Sequence, residues 1–135
     1  MKTNDTKLMQ WKKRIVATRF IYSILVYNWT KDEAIKKFQT EIQPLANEDI
    51  NKIITVFILR KSSILKLIES KLTNNWSLDR LNTMDLAILC ESVGENIGLN
   101  IDKKIIIDQA IITAKKYCEP NSYKFINSIL DKILK

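Results

Sequence analysis

Residues 101–133 read IDKKIIIDQAIITAKKYCEPNSYKFINSILDKI, a stretch in which a proline separates two apolar-rich segments. The first segment alone is ambiguous, because the β-branched run at 105–112 would also suit a buried strand. Asp102 is a suitable N-cap, and the segment continues to Tyr117, which favours a helix. Beyond Pro120, apolar residues recur every three or four positions, as on one face of a helix. The stretch therefore favours two helices joined by a short loop.

The N-terminal part of the chain also predicts helices. A first helix should begin before Trp11 and run to about Trp29, basic in its first turns and apolar on most sides afterwards. This composition predicts a central, largely buried helix whose basic first turns protrude. Thr30 and Glu33 have the spacing of a capping box, which predicts a short second helix that stops before Pro44.

The middle of the chain predicts two more helices. Asn47 is the expected N-cap of a long third helix, which Asn74 and Asn75 should close. The core positions predicted for it repeat at steps of three and four residues: Ile50, Ile53, Ile54, Phe57, Ile58, Ile64, Leu65, Ile68 and Leu72. After a short turn capped by Ser77, either Asn82 or Thr83 should cap a fourth helix. Gly94 and Gly98 are expected to loosen and end that helix.

The C-terminal stretch resembles the signature of the NusB family of bacterial transcription antitermination factors. In that family a helix of the type "vvInEAvelAKkyg" precedes a short loop and then "kFvNgvLdki". The matching residues are Ala110, Ala114, Lys115, Lys116 and Tyr117 in the first part, and Lys124, Phe125, Asn127, Leu130, Asp131, Lys132 and Ile133 in the second. Weaker matches lie in the middle (Arg80, Leu81, Ile88, Leu89, Glu95) and near the start (Lys12, Lys13, Arg14, Ala17, Ile21, Tyr22, Ser23).

The resemblance implies an all-α fold of two small helical bundles that share a core, as a single RNA-binding domain over residues 1–135. It also implies binding to single-stranded boxA-type leader RNA together with NusE, a small-subunit ribosomal protein, in the RNA polymerase antitermination complex. Departures from the family pattern at Cys90, Asp102, Asp108, Gln109, Asn121 and Ser128 bear on partner affinity. The alternative hypothesis is a helical protein-interaction module that has the same fold without boxA specificity.

Positive charge is concentrated at one end of the chain. Residues 1–22 carry six basic residues and one acidic residue, which is +5 of the net charge of +7. A lysine-rich composition alone would spread the charge evenly. The concentration therefore favours contact with a nucleic acid over a merely solubilising surface.

Eight residues are predicted to contact RNA: Lys7, Lys12, Lys13, Arg14, Tyr22, Lys124, Phe125 and Asn127. Cations on a protruding helix end would contact phosphates, and aromatic rings would stack on bases. Tyr22 and Phe125 would equally suit the core, and Asn127 would also suit a hydrogen bond at a helix junction. Glu91 and Asn121 are weaker predictions for the NusE contact. Arg80 and Glu95 are expected to form an internal polar network.

Several function classes are excluded or disfavoured by composition. The chain has no histidine and no glycine-rich phosphate loop, so neither a Ser–His–Asp nor a Cys–His arrangement exists, and no enzyme activity or cofactor is predicted. Cys90 and Cys118 are far apart and are expected to be small hydrophobic residues, not metal ligands or a disulfide. No signal peptide or membrane-spanning run is apparent, which predicts a cytoplasmic protein.

Overall fold

The structure, a computed structural model, describes residues 3–45, 47–73 and 75–135, with side chains from residue 11 onward. Within these ranges the chain forms six α-helices and no strand, so the predicted all-α class is confirmed. The helices are α1 (Thr3–Tyr27), α2 (Lys31–Lys37), α3 (Glu48–Glu69), α4 (Thr83–Gly98), α5 (Lys103–Tyr117) and α6 (Ser122–Ile133). A π-helical turn (Phe38–Ile42) continues α2, and a 3₁₀ turn (Leu78–Arg80) precedes α4. None of the described helices is long and apolar enough to cross a membrane.

The side chains predicted to cap α2, α3, α4 and α5 do so, whereas Ser77 makes no capping hydrogen bond to the 3₁₀ turn because its hydroxyl donates to Asp79 Oδ1. Thr30 Oγ1 accepts a hydrogen bond from the Glu33 amide at 3.2 Å, and Glu33 Oε1 accepts one from the Thr30 amide at 2.8 Å. Asn47, Asn82 and Asp102 each accept a hydrogen bond from an amide two or three residues further on. These side chains satisfy N–H groups that the first helical turn leaves free.

Two helices end earlier than predicted. α1 stops at Tyr27 because Asn28 has a φ of 52°, a left-handed conformation that asparagine tolerates and that ends a helix. α3 stops at Glu69, where the Ser70 hydroxyl donates to the Leu67 carbonyl and competes with helical hydrogen bonding. Asn74, predicted to close α3, lies outside the described residues.

The central helix is α4, not α1 as predicted. Every residue from Asp85 to Glu95 is buried, and α4 packs against α1, α3, α5 and α6. α1 and α3 pack on one side of α4 and also on each other, whereas α5 and α6 form the same arrangement on the other side. Two helical bundles therefore share α4, and this sharing explains why α4 is buried on all sides.

Gly94 does not loosen α4, as the sequence suggested, but allows it to approach α3 closely. A methyl group added at Gly94 would lie 3.2 Å from Ile53 Cγ2 and 3.3 Å from the Ile53 carbonyl oxygen. A backbone oxygen has little freedom to retreat, so any side chain here would push the two helices apart.

We expect Gly94→Val to reduce the free energy of unfolding by about 1–3 kcal/mol, the usual cost of overpacking a core. The measurement is urea denaturation followed by circular dichroism. Ile97→Val places the same β-branched residue on an exposed part of α4 and should change the free energy by less than about 0.5 kcal/mol. Equal stability of the two variants would contradict a tight α3–α4 contact.

Candidate nucleic-acid interface

An ion pair between α1 and α4 lies at the centre of the N-terminal bundle. Arg14 Nε donates to both carboxylate oxygens of Glu95 at 2.9 and 2.8 Å, and Nη2 lies 2.8 Å from Oε1. Arg14 is 7% exposed and Glu95 is 1% exposed. The prediction that Arg14 meets RNA from a protruding turn is therefore wrong, because its charge is used inside the fold. Glu95 does belong to an internal network, but Arg80 instead donates to the Asn75 carbonyl at the surface.

Glu91 is buried one turn before Glu95, so its predicted role as a surface contact for NusE is also wrong. It is 4% exposed, and its Oε2 atom has no hydrogen-bond partner among the described residues. Burial raises the pKa of Glu91 well above its usual range, and the neighbouring Glu95 carboxylate raises it further. Burial therefore favours the neutral form of Glu91, whereas the positive charge of Arg14 is paired with Glu95.

The basic residues of α1 do not share one surface. Lys12 and Arg19 are seven residues apart, so they lie on the same exposed stripe of the helix, together with Val16. Lys13 points elsewhere and lines a cavity of about 260 Å³ that also contains Asp49 and the Arg14–Glu95 pair. Lys7 is on α1, but its side chain lies outside the described residues.

The end of α5 packs beside the exposed stripe of α1. Trp11 Nε1 donates to Thr113 Oγ1 at 3.2 Å, and the Lys116 ammonium lies 5.4 Å from the centroid of the Trp11 ring. Arg19 and Tyr117 line one shallow depression at the same junction. These contacts join the basic start of α1 to a second group of cations, more than 100 residues further along the chain.

The second group continues onto α6. The Lys115 ammonium lies 4.6 Å from the centroid of the Tyr123 ring. We call the combined region the basic–aromatic surface, formed by Lys12, Arg19, Lys115, Lys116, Trp11, Tyr117 and Tyr123. Of these seven residues, only Lys12 was predicted from the sequence to contact RNA. The KKY run at 115–117 was visible as a family match, but its position beside α1 was not.

A larger cavity, of about 650 Å³, adjoins the α5–α6 loop. Phe125 is half-buried on its wall, and Asn121 lies exposed at the same loop. Asp85 is 8% exposed and lines the cavity, and its Oδ1 atom has no hydrogen-bond partner among the described residues. The other lining residues are Trp76, Arg80, Leu81, Asn82, Glu119, Pro120 and Ser122. Sequence reasoning missed Trp76 and Asp85, which carry no local signal of such a site.

The other predicted RNA contacts divide between core and surface. Tyr22 is half-buried and packs against the core, whereas Lys124 and Asn127 are exposed and lie three residues apart on α6. The structure thus brings Lys124, Phe125 and Asn127 onto one helix near the basic–aromatic surface. Tyr22 has the packing that its apolar surroundings suggested, with part of its surface still accessible.

Neither cysteine has the environment of a reactive thiol. Cys90 is fully buried and Cys118 is half-buried, and both are free. Burial raises the pKa of Cys118 to about 12, with the Asp85 carboxylate adding to the effect. Among the described residues, no group of three or more His, Cys, Asp or Glu side chains is arranged to hold a metal ion.

Comparison with known proteins gives consistent similarities over nearly the whole chain. Residues 11–135 match the sequence model described as the NusB family. Transcription antitermination protein NusB of Borreliella burgdorferi is 39% identical over 129 residues, covering 90% of this chain and 91% of that protein. The protein of the same name from Clostridium novyi is 34% identical over 129 residues, covering 92% and 96%.

Solved structures show the same helical arrangement. T. maritima NusB has a TM-score of 0.77 at 27% identity, covering 91% of this chain and 88% of that one. A chain in a structure described as "Crystal Structure of a Plectonemic RNA Supercoil" has a TM-score of 0.74 at 24% identity, covering 92% of both chains. The second likeness concerns the fold alone.

The buried Glu91 predicts a pH dependence of stability. Because its pKa is higher in the folded protein than in the unfolded chain, the folded state binds an extra proton above the ordinary carboxyl pKa of 4.5. Stability should therefore fall as pH rises above that value, by at most about 1.4 kcal/mol per pH unit. Glu91→Gln cannot ionise, so its advantage in stability over the parent should grow as the pH rises above about 5.

Thermal or urea unfolding over this pH range measures the effect. Glu69→Gln, at an exposed carboxyl near the end of α3, is the matched control and should follow the parent curve. Parallel stability curves for the parent and Glu91→Gln would show that Glu91 does not hold a proton in the folded state.

Proposed function

This chain belongs to the NusB family, and we propose that it is a transcription antitermination factor that binds boxA-type leader RNA, with the ribosomal protein NusE as its partner. The observation that carries the proposal is the basic–aromatic surface. Lysine and arginine side chains from α1 and α5 meet there, over or beside three aromatic rings. Single-stranded RNA is bound by this combination of cations for phosphates and flat rings for bases.

The exposed cations would contact the RNA backbone. Lys12 and Arg19 lie on the outer stripe of α1, and Lys116 is positioned across the Trp11 ring from α5. Neutralising several phosphates releases counterions, so these contacts would supply affinity independent of sequence. Lys13, on a different side of α1, would reach only a strand that bends around the helix.

The cavity beside the α5–α6 loop would supply selectivity. Its volume of about 650 Å³ is within the range of small-ligand sites, and Phe125 on its wall offers a ring for stacking. The Asp85 carboxylate, which lines the cavity, would accept a hydrogen bond from an amino group of an inserted base. Lys124 and Asn127 would hold the strand along α6, and Tyr22 would contribute its accessible edge.

The exposed edge of the same cavity is the surface proposed for NusE. Trp76 is 51% exposed there, and Asn121 lines the same cavity. A half-exposed tryptophan is a typical anchor of a protein interface. RNA and protein would then meet at one cavity, each covering part of it.

Charge reversal tests the RNA surface. We expect Lys12→Glu combined with Lys116→Glu to weaken binding of boxA RNA by at least about tenfold, because both ammonium groups would meet phosphates. Both side chains are exposed, so melting should be unchanged within about 0.5 kcal/mol. Electrophoretic mobility shift at several salt concentrations measures the affinity.

Lys104→Glu with Lys132→Glu makes the same change of charge at exposed positions away from this surface and is the control. For the parent, the slope of log K against log salt should be about −2 to −3, corresponding to three or four phosphate contacts. Equal loss in both double variants would indicate attraction by net charge alone. Affinity for RNA that does not depend on salt would favour the alternative of a protein-interaction module. Equal affinity for boxA RNA and scrambled RNA with NusE present would favour the same alternative.

Truncation of Phe125 separates its two roles. Because the ring is half-buried on a cavity wall, Phe125→Ala should lower stability by less than the roughly 3–5 kcal/mol of a fully buried phenylalanine. It should also weaken RNA binding by about 1–3 kcal/mol, the contribution of one base–aromatic stack. Denaturation and RNA titration of the folded variant measure both. Unchanged RNA affinity would limit Phe125 to the fold.

A further inference from the structure

A second aromatic site lies at the other end of α1. The rings of Tyr27 and Trp29 are stacked, with centroids 5.8 Å apart and planes inclined by 20°. Tyr27 is 68% exposed, so the face of its ring turned away from Trp29 is open to solvent. Asn28, between the two, has the left-handed conformation that ends α1. We call this pair the Tyr27–Trp29 platform.

The platform is anchored to the core. Trp29 contacts Phe20 with ring centroids 5.7 Å apart, and Phe20 in turn contacts Phe38 at 6.2 Å. Phe20 and Phe38 are each 6% exposed. A line of four rings thus runs from the interior to the surface, which fixes the outermost ring before any ligand arrives.

Three lysines lie near the Trp29 ring of the platform. Lys31 and Lys61 line a cavity of about 250 Å³ with Trp29, and within the described part of the chain neither forms an ion pair. Lys37 lies 5.8 Å from the Trp29 centroid, although Glu41 pairs with it. Residues 27–37 and 58–62 together hold five basic and two acidic residues, a net +3. This exceeds the +2 of all residues after 22 and favours an anionic partner.

We propose that the Tyr27–Trp29 platform, with Lys31 and Lys61 beside it, is a second contact for single-stranded RNA, an extension that rests on the proposed RNA-binding function. One base would stack on the open face of Tyr27 while the lysines meet the adjoining phosphates. The platform lies roughly 22 Å along α1 from Lys12, at 1.5 Å per residue. An RNA strand that contacts both ends of α1 would run along this helix. The platform would then bind a nucleotide outside the segment of RNA that is bound at the basic–aromatic surface.

The probe is an unstructured oligouridylate of about 16 nucleotides, the upper end of the site size of single-strand binding grooves. Its affinity for the full chain is measured by fluorescence anisotropy. We expect Tyr27→Ala and Lys31→Glu each to weaken binding, Tyr27→Ala by about tenfold for one lost stack. Lys104→Glu changes the same charge in the first turn of another helix and should have no comparable effect. Ultraviolet crosslinking should mark Tyr27 or Trp29.

Melting temperatures check that both variants fold. Lys31→Glu should fold even if Tyr27→Ala does not, because an acidic residue is favourable at the N-terminus of α2. Parent-like affinity of both variants, with Lys12→Glu plus Lys116→Glu weakened, would overturn this inference and leave the proposed function intact. Loss only in the platform variants would support the inference and overturn the basic–aromatic surface. Parent protein that does not bind oligouridylate or boxA RNA would overturn both, and crosslinks confined to α5 and α6 would overturn the platform.

Discussion

The ion pair between Arg14 and Glu95 determines how α1 lies on the rest of the molecule. Both groups are almost fully buried, so separating them would leave an uncompensated charge in the interior, at a cost of several kcal/mol. The pair therefore specifies the rotation and register of α1 against α4. With Arg14 facing inward, Lys12 and Arg19 must face outward, and Trp11 must face the end of α5.

The cost of burying a charge also applies to the other acids of α4. This helix carries three acids among eleven consecutive buried residues, but within the described part of the chain only Glu95 has a buried basic partner. Burial favours the neutral form of Glu91, which avoids the cost of a second charge, whereas Asp85 lies at the wall of a cavity. Buried polar groups of this kind stabilise a fold less than apolar residues would, and they favour one arrangement over others.

The proposed RNA surface is made of parts that are remote in sequence. The start of α1 and the end of α5 meet because both pack on α4, and α6 then continues the surface towards the larger cavity. The Tyr27–Trp29 platform is at the opposite end of α1. The length of α1 thus sets the spacing between the two proposed contacts.

Local structure was determined by the sequence itself. Side chains such as Thr30, Asn47 and Asp102 act within a few residues, so the caps and the helices they open were predictable. The C-terminal motif also identified the family, because its residues keep their order and spacing along the chain. Helix ends were less predictable, since Asn28 and Ser70 end helices through backbone conformation and local competition for hydrogen bonds.

Only the tertiary structure decided which charges face solvent. In the sequence, Arg14 and Lys12 are equivalent members of a basic run, and Glu91 is an ordinary acid. Arg14 differs from Lys12 because it pairs with Glu95, 81 residues further along the chain. Glu91 differs from an ordinary surface acid because it is buried beside Glu95. Lys116 likewise became part of the proposed site only through its approach to Trp11. A helix position shows which residues share a face, but burial and pairing depend on what another helix places against that face.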